Sequence, residues 1–170
     1  GRVSGDVVST VLASPLGDLT LARGDAGLTG LWFADHRTPP SAQALGRRDD
    51  TAFDDVAGQL EEYFAGRRQR FDLPLAPVGE AFAQRVWAAL LEVPHGTTTS
   101  YGRLAARLGG PGYAQAVGLA NGRNPLSIVV PCHRVVGSDG ALVGYAGGLW
   151  RKRFLLALEE PAPDAAGRLF

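Results

Sequence analysis

Methionine is absent from all 170 residues, and cysteine occurs once. A single thiol excludes any disulfide within the chain. Together with three histidines it leaves too few soft ligands for a typical structural zinc site, so neither a metal nor a cofactor is expected. No run approaches the ~20 apolar residues of a membrane-spanning helix, and no signal-peptide pattern opens the chain. A lone thiol without an export signal fits a reducing compartment, so a cytoplasmic location and no membrane partner are expected. Gly1 reads as a processed end without functional meaning. Net charge is also missing: 17 basic and 17 acidic residues sum to zero. The charge is uneven, however. Residues 1–79 carry 8 Arg against 11 acids, a balance of −3, whereas residues 80–160 carry 7 Arg and 1 Lys against 5 acids, a balance of +3. Only the second part is suited to meet a polyanion.

An apolar fraction of 45% over this length supports one compact domain or two small ones. No internal repeat is visible. Residues 7–13 read as a strand, Ser14-Pro15-Leu16-Gly17 as a turn, and residues 19–22 as the partner strand. Residues 28–33 suit a third strand, and the polar, Pro-interrupted stretch 38–50 a loop. Val56, Ala57, Leu60, Tyr63 and Phe64 fall at helical spacing within residues 54–64. Residues 71–78, with two prolines, read as a linker. Residues 81–91 form a strong amphipathic helix with Phe82, Val86, Trp87, Leu90 and Leu91 on one face, ended by Pro94 and Gly96. Ser100 suits the N-cap of a helix running to Leu108. Gly109-Gly110-Pro111-Gly112 is a tight break, and a short helix follows from about Tyr113 to Leu119 or a little beyond. Helix, tight turn, helix is the outline of a helix-turn-helix. Residues 126–130 are a short apolar run before Pro131, residues 154–158 lie in a final helix, and the tail after Pro161 reads as mobile. The expected class is α+β. Residues 1–75 would form a small antiparallel sheet with a helix and connecting linker. Residues 76–170 would form a mostly helical domain with the helix-turn-helix and an active-site loop.

The chemistry centres on Pro131-Cys132-His133-Arg134-Val135. A free thiol, with a pKa near ~8.5, is only a few per cent thiolate at neutral pH. A nucleophilic cysteine therefore needs a proton acceptor nearby. His133 can serve, with Glu159 available to orient it. Neighbours in an extended segment face opposite ways, so direct contact between Cys132 and His133 requires a bend or a bridging water.

The segment 118–136 reads GLANGRNPLSIVVPCHRVV. With Tyr101-Gly102 upstream and Gly144-Tyr145-Ala146-Gly147-Gly148 downstream, it closely resembles the O6-alkylguanine-DNA alkyltransferases. Asn124-Pro125, six residues before the Pro-Cys-His-Arg-Val run, is a specific combination. The resemblance is dense from about Phe82 to Glu159. It continues more weakly through Ser14-Pro15-Leu16-Gly17 and Tyr63-Phe64-Ala65-Gly66. It implies single-turnover transfer of an alkyl group from O6 of guanine, and by extension O4 of thymine, to Cys132. It implies His133 as the base acting through a water, and Glu159 as the carboxylate behind it. Asn124 would hold the active-site turn, and Tyr101 would donate to guanine N3. Val135 and Ala146 would line the guanine pocket with backbone groups, Tyr145 would form a wall, and Lys152 would be a pocket-side lysine. The partner implied is double-stranded DNA containing O6-alkylguanine, bound by a monomer with room for clustering along DNA. The second helix of the helix-turn-helix would enter the minor groove, with Tyr113, Ala114, Gln115 and Arg123 on the DNA side, and the target base would be flipped out.

One position departs from the family. Where it normally carries an arginine that fills the stack behind the flipped base, this chain has Gln115. Glutamine is shorter and uncharged, which bears on flipping rather than on the chemistry. Two rival readings remain at this point. One is a lesion-binding relative, which would lack the acceptor cysteine. The other is a Cys-His-Glu hydrolase, which would need an oxyanion hole and would turn over repeatedly.

Overall fold

The computed structural model describes residues 6–161; the tail after Pro161 lies outside them. A four-stranded sheet fills the first half, in the spatial order Gly27–Phe33, Leu19–Gly24, Val8–Leu12, Arg47–Arg48. Strands β1 (Val8–Leu12), β2 (Leu19–Gly24) and β3 (Gly27–Phe33) form an antiparallel meander. The first turn follows from its residues. The Gly17 amide bonds back to the Ser14 carbonyl at 3.0 Å, and the Ser14 hydroxyl accepts from Leu16 N at 3.0 Å. Gly17 has φ +91°, a backbone region that side chains disfavour.

The stretch 38–50, expected as a loop, contains two short elements. Helix α1 (Ala42–Leu45) is capped by the Ser41 hydroxyl, which accepts from Ala44 N. Strand β4 (Arg47–Arg48) then pairs parallel to β1. Four residues of helix and two of strand are too short to show a period. Their arginines also put charge on the sheet edge, which discourages pairing with another chain. Helix α2 (Asp54–Phe64) follows with the expected limits and buries Val56, Leu60 and Tyr63. The proline-containing linker is docked rather than free. Leu28 N bonds Pro74 O at 2.9 Å and Ala76 N bonds Leu28 O at 2.7 Å, so the linker adds to the open edge of β3. Gly27 permits this approach, since a Cβ there would lie 2.5 Å from Pro74 O.

The second half is mostly helical. Helix α3 (Ala81–Leu90) packs on α5 (Ala114–Gly122), and the Trp87 indole donates to Ala120 O at 2.9 Å. Helix α4 (Tyr101–Leu108) starts where Ser100 accepts from Arg103 N at 3.1 Å. Gly109 (φ +150°) and Gly110 (φ +133°) then reverse the chain into a 3-10 turn at Pro111–Tyr113, ahead of α5. The second helix begins one residue later than expected and ends three residues past Leu119. A two-residue parallel pairing of β5 (Thr99–Ser100) with β6 (Val135–Val136), not foreseen, clamps the start of α4 to the active-site segment. Helix α6 (Leu149–Glu159) closes the fold.

One apolar core runs through both halves, from Leu21, Leu31, Phe53 and Leu60 to Val86, Leu104, Val117 and Leu155. Arg151 on α6 rivets them together. Its Nε donates to Leu16 O at 3.0 Å, one terminal nitrogen donates to Gly147 O at 2.9 Å and pairs with Asp35, and the guanidinium lies over the Phe33 and Trp150 rings. Asp35 itself is largely exposed, so the weight falls on the buried carbonyls and the stacked rings. Arg151→Ala leaves those carbonyls without a donor and removes the stacked surface. It should destabilise the fold by about 2–4 kcal/mol. The check is a urea midpoint that drops while the slope of the transition is unchanged.

Candidate active site

The active-site loop is built around one amide. At the end of α5, the Asn124 Nδ2 donates to Val130 O and its Oδ1 accepts from Leu126 N, both at 2.9 Å. The side chain thereby pins both ends of the 124–130 loop. Within that loop, buried Ile128 sits at φ +73°, a conformation costly for a β-branched residue and held only because its surroundings over-determine it. The loop is further anchored from the sheet, since Leu31 N bonds Pro125 O at 2.8 Å.

Beyond Pro131 the chain does not continue extended. Cys132–Arg134 form a 3-10 turn, with all three residues buried. The turn supplies the expected bend, and of the two neighbours only Cys132 faces the cavity. Cys132 lines a cavity of about 200 Å³ with Arg37, Tyr101, Asn121, Asn124, Tyr145 and Ala146 among its walls. His133 lies behind, fully buried. A larger cavity of about 580 Å³ lies between the first turn and α2, lined by Leu12, Pro15, Leu19 and Phe64, with no thiol or imidazole in it.

Behind the thiol, the Glu159 carboxylate is 1% exposed and gathers several donors. His133 Nε2 lies 2.7 Å from Oε2, Tyr63 OH donates to Oε2 at 2.5 Å, and Arg134 donates to Oε1 at 2.8 Å and Oε2 at 3.0 Å. Arg134 also donates to Val93 O at 2.6 Å. Burial alone would raise the carboxyl pKa; the bonds from His133 and Arg134 overrule it and hold Glu159 well below the usual carboxylate range. An ionised carboxylate accepts, so His133 Nε2 carries the hydrogen. Nδ1, buried and without a partner, is left as the basic nitrogen. Burial lowers the His133 pKa and Glu159 does not fully offset it, which favours the neutral ring.

The thiol itself is held neutral. Burial pushes the Cys132 pKa up, and Asn124 and Lys152 only partly counter it. The resting group is a protonated thiol rather than a pre-formed thiolate, because a buried sulfur anion loses its hydration. Lys152 stands in the wall of the cavity rather than in its lining. Its ammonium is fully buried and donates to Val135 O at 2.6 Å and to Val143 O and Gly144 O at 3.2 Å, tying the 143–146 loop to β6. Val135 turns its carbonyl to that lysine and stands outside the cavity lining. Ala146 lines the cavity, and its carbonyl accepts from Arg37 N at 3.0 Å. The Tyr145 ring packs against Phe33, with its buried hydroxyl unpartnered. Tyr101 is half-buried at the cavity and reaches Val143 O at 3.4 Å.

The remaining candidates lie along α5 and at its two ends. Gln115 and Arg123 are exposed, Ala114 is half-buried, and Tyr113 is partly exposed while stacked on Phe82 at 5.6 Å between centroids. Sequence reasoning missed Tyr63, Arg134, Arg37 and Asn121. A signal existed for Arg134: a charge set among Val130, Val135 and Val136 requires a buried partner. Tyr63 on the apolar face of α2 likewise needs a partner for its hydroxyl.

Comparison with known proteins identifies the family. Residues 7–77 match the family model of the 6-O-methylguanine DNA methyltransferase ribonuclease-like domain, and residues 81–161 that of its DNA binding domain. A methylated-DNA–protein-cysteine methyltransferase of Mycobacterium tuberculosis is 49% identical over 157 residues, covering 92% of this chain and 94% of that one. One from Methanosarcina barkeri is 47% identical over 150 residues, covering 88% of this chain and 95% of that one. The crystal structure of Mycobacterium tuberculosis OGT in complex with DNA superposes with a TM-score of 0.85 at 49% identity, covering 89% of this chain and 92% of that chain. The fold and site thus define a thiol-bearing DNA-repair methyltransferase. The chain belongs to the 6-O-methylguanine DNA methyltransferase family.

The buried carboxylate makes a pH prediction. The folded-state pKa of Glu159 is depressed, so its contribution to stability is complete above the ordinary carboxylate range. That contribution declines as pH falls through that range toward the folded value. Glu159→Gln should lower stability at neutral pH by about 3–5 kcal/mol, because Arg134 keeps its buried charge without a counter-charge. It should also flatten the acid side of the stability profile. Denaturant titrations between acid and neutral pH check both outcomes.

Proposed function

We propose that Cys132 accepts, once and irreversibly, the alkyl group from O6 of an alkylated guanine in double-stranded DNA. The observation that carries this reading is a buried thiol on a cavity wall, backed by a neutral imidazole whose far nitrogen is bonded to an ionised carboxylate. As the base enters, the thiol proton passes through a bridging water to Nδ1 of His133, and Glu159 stabilises the imidazolium. The sulfur attacks the alkyl carbon. The S–C bond forms as the C–O6 bond breaks, and the electron pair goes to the guanine. Tyr101 donates to N3, so the base leaves without an uncompensated charge. Lys152 favours the transient thiolate electrostatically. The product thioether has no easy return path, which limits each molecule to one turnover. O4-alkylthymine presents the same alkyl–oxygen bond and is a second substrate class.

The target oxygen lies inside the duplex, so the nucleotide must rotate out, at a cost of a few kcal/mol. Helices α4 and α5 form the helix-turn-helix, with α5 entering the minor groove and Gln115 filling the emptied stack. The protein acts as a monomer in the cytoplasm, where its single thiol stays reduced.

Intact mass measurement after incubation with O6-benzylguanine should show one benzyl adduct, located on Cys132, and Cys132→Ser should show none while retaining DNA affinity. Repeated turnover without an adduct would replace this reading with hydrolysis, and binding without an adduct would replace it with lesion recognition. Gln115 gives a separate outcome. Gln115→Arg offers a planar cation to the stack. It should speed repair of duplex DNA and leave the rate with free O6-benzylguanine unchanged. An equal gain on both substrates would move Gln115 from the stack to the pocket.

A further inference from the structure

We infer that Tyr63, on α2 of the sheet-bearing half, is a positioning residue for the transfer: its hydroxyl, bonded to Glu159 Oε2, sets how strongly that carboxylate supports His133. The inference rests on the proposed role of Cys132 and His133. It deepens that reading by bringing the first half of the chain into the reaction itself.

The geometry is specific. Oε2 accepts from three groups: His133 Nε2 at 2.7 Å, Arg134 at 3.0 Å and Tyr63 OH at 2.5 Å. The imidazole and the phenol therefore share one oxygen rather than one each. Tyr63 is 1% exposed, and its ring is locked by Phe64, Phe71 and His95. Neither ring rotation nor water can substitute for the contact. It spans 96 residues. Tyr63 is not ionised, because burial and the adjacent Glu159 both raise its pKa. Toward the ionised carboxylate it consequently acts as a donor. Each donor on Oε2 draws negative charge away from the face that meets His133. Tyr63 thus holds the imidazole less basic than Glu159 and His133 alone would make it, and fixes the carboxylate in the plane of the ring.

The other groups facing this cluster are accounted for. Arg134 and Lys152 both act to lower the His133 pKa. Arg134 is committed to Glu159 and Val93 O, and Lys152 to the carbonyls of Val135, Val143 and Gly144. His95, against the Tyr63 ring, is the remaining group that titrates near neutral pH. Its pKa is lowered by burial while Glu159 pulls it upward.

The experiment is the rate of benzyl transfer from free O6-benzylguanine against pH, for the full chain. Free base removes DNA binding from the measurement. A base must be unprotonated to act, so the acid limb of the profile reports His133. Tyr63→Phe keeps the ring and removes the donor. The acid limb should move up by about half a pH unit, which is about a threefold loss of rate on that limb. Replacing Tyr63 by 2,3-difluorotyrosine keeps both ring and hydroxyl while making a stronger donor, and should move the limb down. That second variant covers the case in which Tyr63→Phe folds poorly. Both shifts should persist in a His95→Gln background and leave DNA affinity unchanged. If the melting temperature changes while the limb stays put in both variants, Tyr63 is a packing residue only and the inference is overturned. If the shifts vanish without His95, that histidine is the group responsible and the inference again fails. A wild-type protein that takes up no benzyl group would instead overturn the proposed function on which the inference stands.

Discussion

A carboxylate in an apolar interior must be matched almost completely or it will not stay ionised, and Glu159 sets that condition for the molecule. Its partners arrive from α2, from the 3-10 turn after Pro131 and, through Arg134, from the end of α3 by way of Val93. Satisfying one side chain therefore fixes the relative placement of the sheet half, the active-site turn and α6. Breaking one arm leaves a buried charge or an orphaned donor, so the arms stand or fall together. The core supplies the bulk of the driving force for folding, being non-directional. The carboxylate supplies the register in which the two halves meet.

The thiol faces two opposed requirements. It must be inert while waiting and nucleophilic when the substrate is seated. Burial answers the first by keeping sulfur and imidazole both neutral. The second is answered by a prepared acceptor: an imidazole with its tautomer fixed by Glu159 and its other nitrogen unoccupied. In the proposed transfer the ion pair is created only at the moment of reaction, in a site whose dipoles are already in place. Lys152 serves both states. Its bonds to Val135, Val143 and Gly144 hold the cavity wall, while its charge lies close enough to Cys132 to favour the anion.

Elements with strong local grammar were legible before any coordinates. Helix α2, the Ser100 cap and the glycine reversal at 109–110 each follow from a period, a capping hydroxyl or a positive φ, and the structure places all three where the pattern puts them. The Asn124 and Glu159 contacts were legible through the family resemblance. What stayed hidden depends on partners distant in sequence. Strand β4 exists because β1 offers an edge, and the linker is ordered because β3 offers the other. Tyr63 looked like any apolar-face aromatic until Glu159 was seen beside it. Lys152 and Val135 were assigned to the cavity; neither is in its lining, and the lysine bonds the carbonyls of Val135, Val143 and Gly144, the last of which does line it. The raised thiol pKa was hidden for a related reason: sequence displays the polar neighbours of Cys132 and not the depth at which it is buried.

The wiring also orders events as the chain is made. Glu159 is synthesised 27 residues after Cys132, and the Arg151–Leu16 contact spans 135. Contacts of such long range form late, since their loop closure is costly until other structure is in place. A nascent or half-folded chain carries Cys132 without its imidazole aligned and without its cavity. Its sulfur then behaves as an ordinary exposed thiol, and the activated site arises only on completion of the fold. Under the proposed single use, the molecule is in this way not armed before it is whole.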